Sequence, residues 1–128
     1  MKYSQLNTLV ASINAVIGSQ ENRTQKKLFK LYEKVKPYYE SYQSQVEELR
    51  LDNGSVDEKD ILLLDEKGGY KFTKEAIKKL TSQVKDLNER EFDFTPIPVV
   101  NPQGLENFTF LEDWTTGITF NKEEEEEL

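Results

Sequence analysis

Apolar positions along this chain first recur at helical spacing, then break at a glycine pair, then alternate. Tyr3, Leu6, Leu9 or Val10, Ile13 and Ile17 fall three or four residues apart, which predicts one face of a first helix ending near Gly18, a residue suited to a C-cap. After the polar stretch SQENRT, the positions Leu28, Tyr32, Val35, Tyr39, Tyr42, Val46 and Leu49 step by 4, 3, 4, 3, 4, 3. A seam held this long predicts a long second helix. Pro37 lies inside it, without an amide hydrogen and with a ring that clashes with the carbonyl four residues back. Because the seam keeps its phase across Pro37, one kinked helix is expected to run to about Leu51 and stop at Asp52, Asn53 and Gly54.

The stretch DILLLDEKGGYKFT then reads as a small hairpin, Ile61 to Leu64 and Tyr70 to Phe72, with Gly68 and Gly69 free to take positive backbone angles at the return. Thr73 suits the N-cap of a third helix, and Glu75 falls in its first turn, where the helix dipole favours negative charge. Ile77, Leu80, Val84 and Leu87 continue at steps of 3, 4, 3. The corner therefore reverses the chain and returns a helix antiparallel along the long one. Past Glu91 the pattern becomes alternating, with Phe92 and Phe94 separated by Asp93, while Pro96 and Pro98 confine the segment to an edge strand or an extended arm.

Beyond residue 100, Phe108, Phe110, Leu111, Trp114, Ile118 and Phe120 follow little helical logic yet need burial. The arm that carries them either wraps back on its own helices or inserts into a partner. The expected class is mainly α with a small β element: an antiparallel helical hairpin or bundle, a short β-hairpin at its corner and an extended aromatic C-terminal arm. Residues 1–100 form the helical domain, 101–122 the arm and 123–128 a disordered acidic tail.

Composition narrows the chemistry. A chain of 128 residues suits one domain, and 36% hydrophobic with 32% charged residues favours helices with wide solvated faces. No cysteine and no histidine removes disulfides, thiol nucleophiles and the commonest general base near neutral pH. No apolar run reaches the roughly 18 residues of a membrane span, so a soluble protein is expected. Residues 1–51 hold eight Lys/Arg against five Asp/Glu, and residues 52–128 hold nine against nineteen, giving +3 and −10. Such an acidic half repels nucleic acid at long range.

Asp57, Glu58, Asp60, Asp65 and Glu66 are candidate ligands for a hard cation, but the loop pattern of an EF-hand is absent, which leaves a solvated acidic loop. Helical nucleotide pyrophosphatases need paired carboxylates three apart on facing helices. Here, outside the terminal glutamate run, only Asp57 with Asp60, in a predicted loop, and Asp86 with Glu89 have that spacing, so no enzyme and no cofactor are expected. Gly68 and Gly69 lack the flanking residues of a phosphate loop. Arg23, Lys27, Lys30 and Lys34 lie with Lys26 away from the seam and are candidate anion-binding residues. With Tyr32, Tyr38, Tyr39 and Tyr42 they invite comparison with nucleic-acid clamps. Three of those tyrosines occupy the seam, which assigns them to a core or a protein interface.

The run LFKLYEKVKPYYESYQSQVEEL followed by GGYKFTKEAIKKLTSQVKDLNEREFDFTPIPV resembles a class of small proteins encoded by tailed bacteriophages. These pair a helical hairpin with a Gly-Tyr-Lys-Phe/Ile-Thr corner, a helix and an acidic aromatic segment. The resemblance covers roughly residues 25–100, implies a phage origin, a place in the host cytoplasm or virion, and brings no catalytic residues. The expected function is a non-enzymatic interaction or assembly protein. Its arm would dock on a viral structural protein, a host protein or a second copy through Phe92, Phe94, Phe108, Phe110, Leu111, Trp114 and Phe120. The alternative is an acidic inhibitor of a host nucleic-acid-handling or defence protein.

Overall fold

A computed structural model describes residues 1–121; the acidic run Glu123 to Glu127 lies outside the described residues. The elements in chain order are α1 (Tyr3–Ile17), α2 (Asn22–Asn53), α3 (Lys74–Glu89), β1 (Ile97–Pro98), a 3₁₀ helix (Thr109–Trp114) and β2 (Thr115–Thr116). The protein is mainly helical with a small β element.

Each helix begins and ends for a local reason. At the start of α1 the side-chain Oε1 of Gln5 accepts the Lys2 amide at 2.7 Å, satisfying a donor that the helix leaves over. Gly18 follows α1 with a right-handed φ of −69°, so its glycine character is not used: the chain leaves through turn bonds from Ser19 N–H to Val16 O and Gln20 N–H to Ile17 O. Helix α2 runs unbroken through Pro37. Pro37 and Glu33 are both exposed, so the proline lies on the solvent side of the helix, where a lost helical hydrogen bond costs least. At α3, Thr73 Oγ1 accepts the Ala76 amide at 3.1 Å, as the sequence predicts.

Burial is concentrated at one end of the long helix. Tyr3, Leu6, Leu9, Val10 and Ile13 of α1 pack with Leu28, Leu31 and Val35 of α2, Leu87 at the end of α3, and Leu105, Leu111 and Trp114 from the chain beyond residue 100. Between Val35 and Leu87, Asn53 is the only buried residue. The core therefore contains both sides of the expected boundary at residue 100, and residues 101–121 belong to it rather than forming a separate arm.

One backbone device ties the chain after α3 to the start of α1, and a second ties the C-terminal segment to itself. Residues 1–3 pair with 90–92, through Phe92 N–H to Met1 O at 2.8 Å and Tyr3 N–H to Arg90 O at 3.2 Å. Strands β1 and β2 pair in parallel, Ile97 with Thr115 and Pro98 with Thr116. Both strands are edges, which is where a proline without an amide is tolerated. Gly117 has φ +90°, and a β-carbon there would lie 2.5 Å from Val99 O, so only glycine allows the two segments to approach this closely.

Candidate functional site

The corner between α2 and α3 is built from an eight-residue repeat. Ser55-Val56-Asp57-Glu58-Lys59-Asp60-Ile61-Leu62 is followed by Leu63-Leu64-Asp65-Glu66-Lys67-Gly68-Gly69-Tyr70, with Asp-Glu-Lys in the same place of each unit. Each aspartate folds its own loop. Asp57 Oδ1 accepts the amides of Lys59 at 2.8 Å and Ile61 at 3.1 Å, and Asp65 Oδ1 accepts those of Lys67 at 2.8 Å and Gly69 at 2.9 Å. The same place in a third unit is Thr73, whose hydroxyl caps α3.

The tightest residue of each loop takes a left-handed backbone, Asp60 at φ +62° and Gly68 at φ +80°. Gly69, expected to share that conformation, does not. Equivalent residues at the head of each unit close a ring of backbone hydrogen bonds. Leu63 N–H donates to Ser55 O at 2.8 Å, Lys71 N–H to Leu63 O at 3.2 Å, and Ser55 N–H to Lys71 O at 2.8 Å. The expected pairing of the two legs is present as a single antiparallel bridge, Leu64–Tyr70, and a third extended leg, not expected, joins it through the bridge Val56–Leu62.

Side chains fix this corner to the helices. Asn53 Nδ2 donates to Leu49 O at 2.8 Å and to Gln83 Oε1 of α3 at 2.7 Å. Tyr70 Oη donates to Glu47 Oε2 at 3.1 Å, and the Arg50 guanidinium lies 5.2 Å from the centre of the Tyr70 ring. The hydrogen bond to Glu47 holds the phenol pKa above its ordinary value, with burial and the carboxylate charge acting the same way and Arg50 opposing.

Among its charged residues the corner displays apolar side chains. Eight large hydrophobic side chains are exposed among the described residues, and six of them, Leu51, Val56, Ile61, Leu63, Leu64 and Ile77, lie in or beside this corner. Ile61 is 59% exposed and Leu64 52%. Scattered exposed leucines are ordinary, but a concentration of them on a pinned backbone is the usual mark of a binding surface.

The residues expected to dock the arm have other work. Leu111 and Trp114 are 1% and 4% exposed and lie in the chain's own core. Phe92 and Phe94 join Trp114, Tyr3, Tyr38 and Tyr42 in a connected set of ring contacts with centroids 5.0 to 6.4 Å apart. Phe108, Phe110 and Phe120 are half-buried and pack against the same core. In this fold the arm folds back, because its apolar side chains join the core that α1 already forms with the first half of α2.

The candidate anion-binding residues do come together. Arg23, Lys27, Lys30 and Lys34 border two adjoining clefts between α2 and the segment 97–105, and Lys27 Nζ donates to the Gln103 carbonyl. Among the described residues no three carboxylates gather closely enough to hold a metal ion, and Asp57 and Asp65 each accept amides of their own loop through one oxygen. Among the described residues no helix is long and apolar enough to cross a membrane. No protein-family model, no curated protein and no solved structure matches this chain.

The corner as a displayed surface escaped the sequence reading, although its signal was present. The repeated Asp-Glu-Lys at a spacing of eight, each preceded by an apolar pair or Ser-Val, marks a repeated turn rather than one hairpin.

Proposed function

We propose that this chain is a non-enzymatic interaction or assembly protein that meets its partner through the corner between α2 and α3. The observation that carries this reading is the clustering of exposed apolar side chains on a backbone held by the closed ring of Ser55, Leu63 and Lys71. A rigid apolar surface loses little conformational entropy on association, which favours binding. We take α2 and α3 to form an antiparallel hairpin presenting that corner: Tyr42 bonds Asn88 and Asn53 bonds Gln83, in opposite chain order. The resemblance to small phage proteins supports a viral origin, action in the host cytoplasm or virion, and a viral structural or host protein as partner. The inhibitor alternative asks for carboxylates displayed in place of phosphates; Asp57 and Asp65 each commit one carboxylate oxygen to their own loops, which leaves Glu58, Asp60 and Glu66 to supply that charge.

The test compares three tagged full-length chains in capture experiments from host lysate with and without viral proteins: wild type, Ile61→Asp with Leu64→Asp, and Phe110→Ala. The corner variant is expected to lose at least tenfold of each specifically captured protein at unchanged helix content, and Phe110→Ala to keep it. Loss confined to Phe110→Ala would return the docking role to the arm.

A further inference from the structure

The corner has a counterpart at the other end of α2. There Phe29 is 53% exposed and opens onto a cleft formed with Ile17 of α1 and with Lys26, Lys30 and Glu33. The two patches carry mirrored charge. Residues 21–36 hold six Lys/Arg and two Asp/Glu, and residues 52–67 hold two Lys and six Asp/Glu. Each patch therefore combines exposed apolar side chains with the charge the other lacks.

One molecule cannot bring its own two patches together. From Phe29 to Leu51 the helix rises about 33 Å at roughly 1.5 Å per residue, and α2 is continuous between them. We propose that the corner of one molecule docks on the Phe29 cleft of a second copy of this chain, in a head-to-tail contact. The apolar side chains Ile61 and Leu64 enter the cleft beside Phe29. The carboxylates around them face Lys26 and Lys30, which steers the approach and fixes its direction. Two like corners meeting tip to tip would oppose acidic loops, and two like clefts would oppose lysines, so the charge pattern disfavours both symmetric pairings. A head-to-tail contact leaves a free corner and a free cleft at the ends of an open assembly, so the product is an open chain, or a ring where those ends meet. This inference rests on the reading of the corner as the docking surface and names its occupant.

The experiment uses the full chain, with mass measured by light scattering after size exclusion from micromolar to near-millimolar concentration, at low and at molar salt. Wild type is expected at least to double its average mass as concentration rises, and to do so less at high salt. Ile61→Asp with Leu64→Asp removes the corner, and Phe29→Asp removes the cleft; these side chains are exposed, and circular dichroism checks that helix content is kept. Each variant alone is expected to remain monomeric, and an equimolar mixture is expected to form a one-to-one dimer, since each supplies the patch the other lacks. Self-association of Phe29→Asp alone would overturn the head-to-tail contact in favour of corner on corner. Wild type that stays monomeric at every concentration would also overturn it. The broader reading of the corner survives that second result if the corner variant still loses its captured partner, and fails with it if capture is unaffected.

Discussion

Trp114 illustrates how one residue's neighbourhood decides its role. In the sequence it stands in a non-periodic stretch, an exposed anchor or a buried one by equal argument. In the fold its ring lies 5.0 Å from Phe94 and 6.4 Å from Phe92, sealing the arm against α1 and α2. Trp114→Ala is expected to destabilise the chain by about 3–5 kcal/mol, read as a shift of the urea midpoint, because a large core side chain is lost and a cavity remains. An unchanged midpoint would mean that the arm is not held to the body. Leu105 and Leu31 are also buried, and neither was expected beforehand. Leu105 stands alone between Gly104 and Glu106, and Leu31, three residues after Leu28 and four before Val35, takes the buried place that the seam assigns to its neighbour Tyr32.

Among the elements, the helices were the legible part. The face of α1, the phase of the α2 seam across Pro37 and the Thr73 cap follow from local periodicity and from hydrogen bonds made within a few residues. The corner was half legible: its loops were foreseeable, but the bonds of Ser55, Leu63 and Lys71 join residues eight and sixteen apart and depend on three legs meeting at once. Asp57→Ala and Asp65→Ala should each release two amides from a carboxylate. Hydrogen exchange at Leu63 and Lys71 is expected to rise roughly tenfold per substitution, from about 1–1.5 kcal/mol of lost loop stability. Exchange in the body of α1 should not change. Protection unaffected at Leu63 and Lys71 would show that the ring stands without its aspartates.

For the whole molecule, the two chain regions far apart in sequence meet at the start of α1 and the end of α3. Lys2 Nζ donates to Glu89 Oε2 at 2.8 Å on a solvated surface. The hydrogen bond from Lys2, and then its charge, hold the Glu89 carboxyl below its ordinary pKa; the same bond and the Glu89 charge hold Lys2 above its own. The Glu89 contribution is therefore present above the unfolded carboxylate pKa and lost as pH falls through the lowered folded value. The Lys2 contribution is present below the ordinary lysine range and lost as pH rises through the raised folded value. Glu89→Gln should lower the melting temperature slightly at neutral pH, and the difference should vanish in strong acid and shrink in high salt. A difference that persists in acid would assign the effect to packing. The sequence by itself determined the helices, their caps, the loop chemistry and the charge asymmetry, since each is set by side chains within a turn or two of one another. Only the tertiary structure decided that the aromatic arm is core and that the corner is surface, because burial depends on which segment covers which, and that is settled by contacts between residues ninety and more positions apart, such as Met1 with Phe92 and Leu6 with Trp114 in one core.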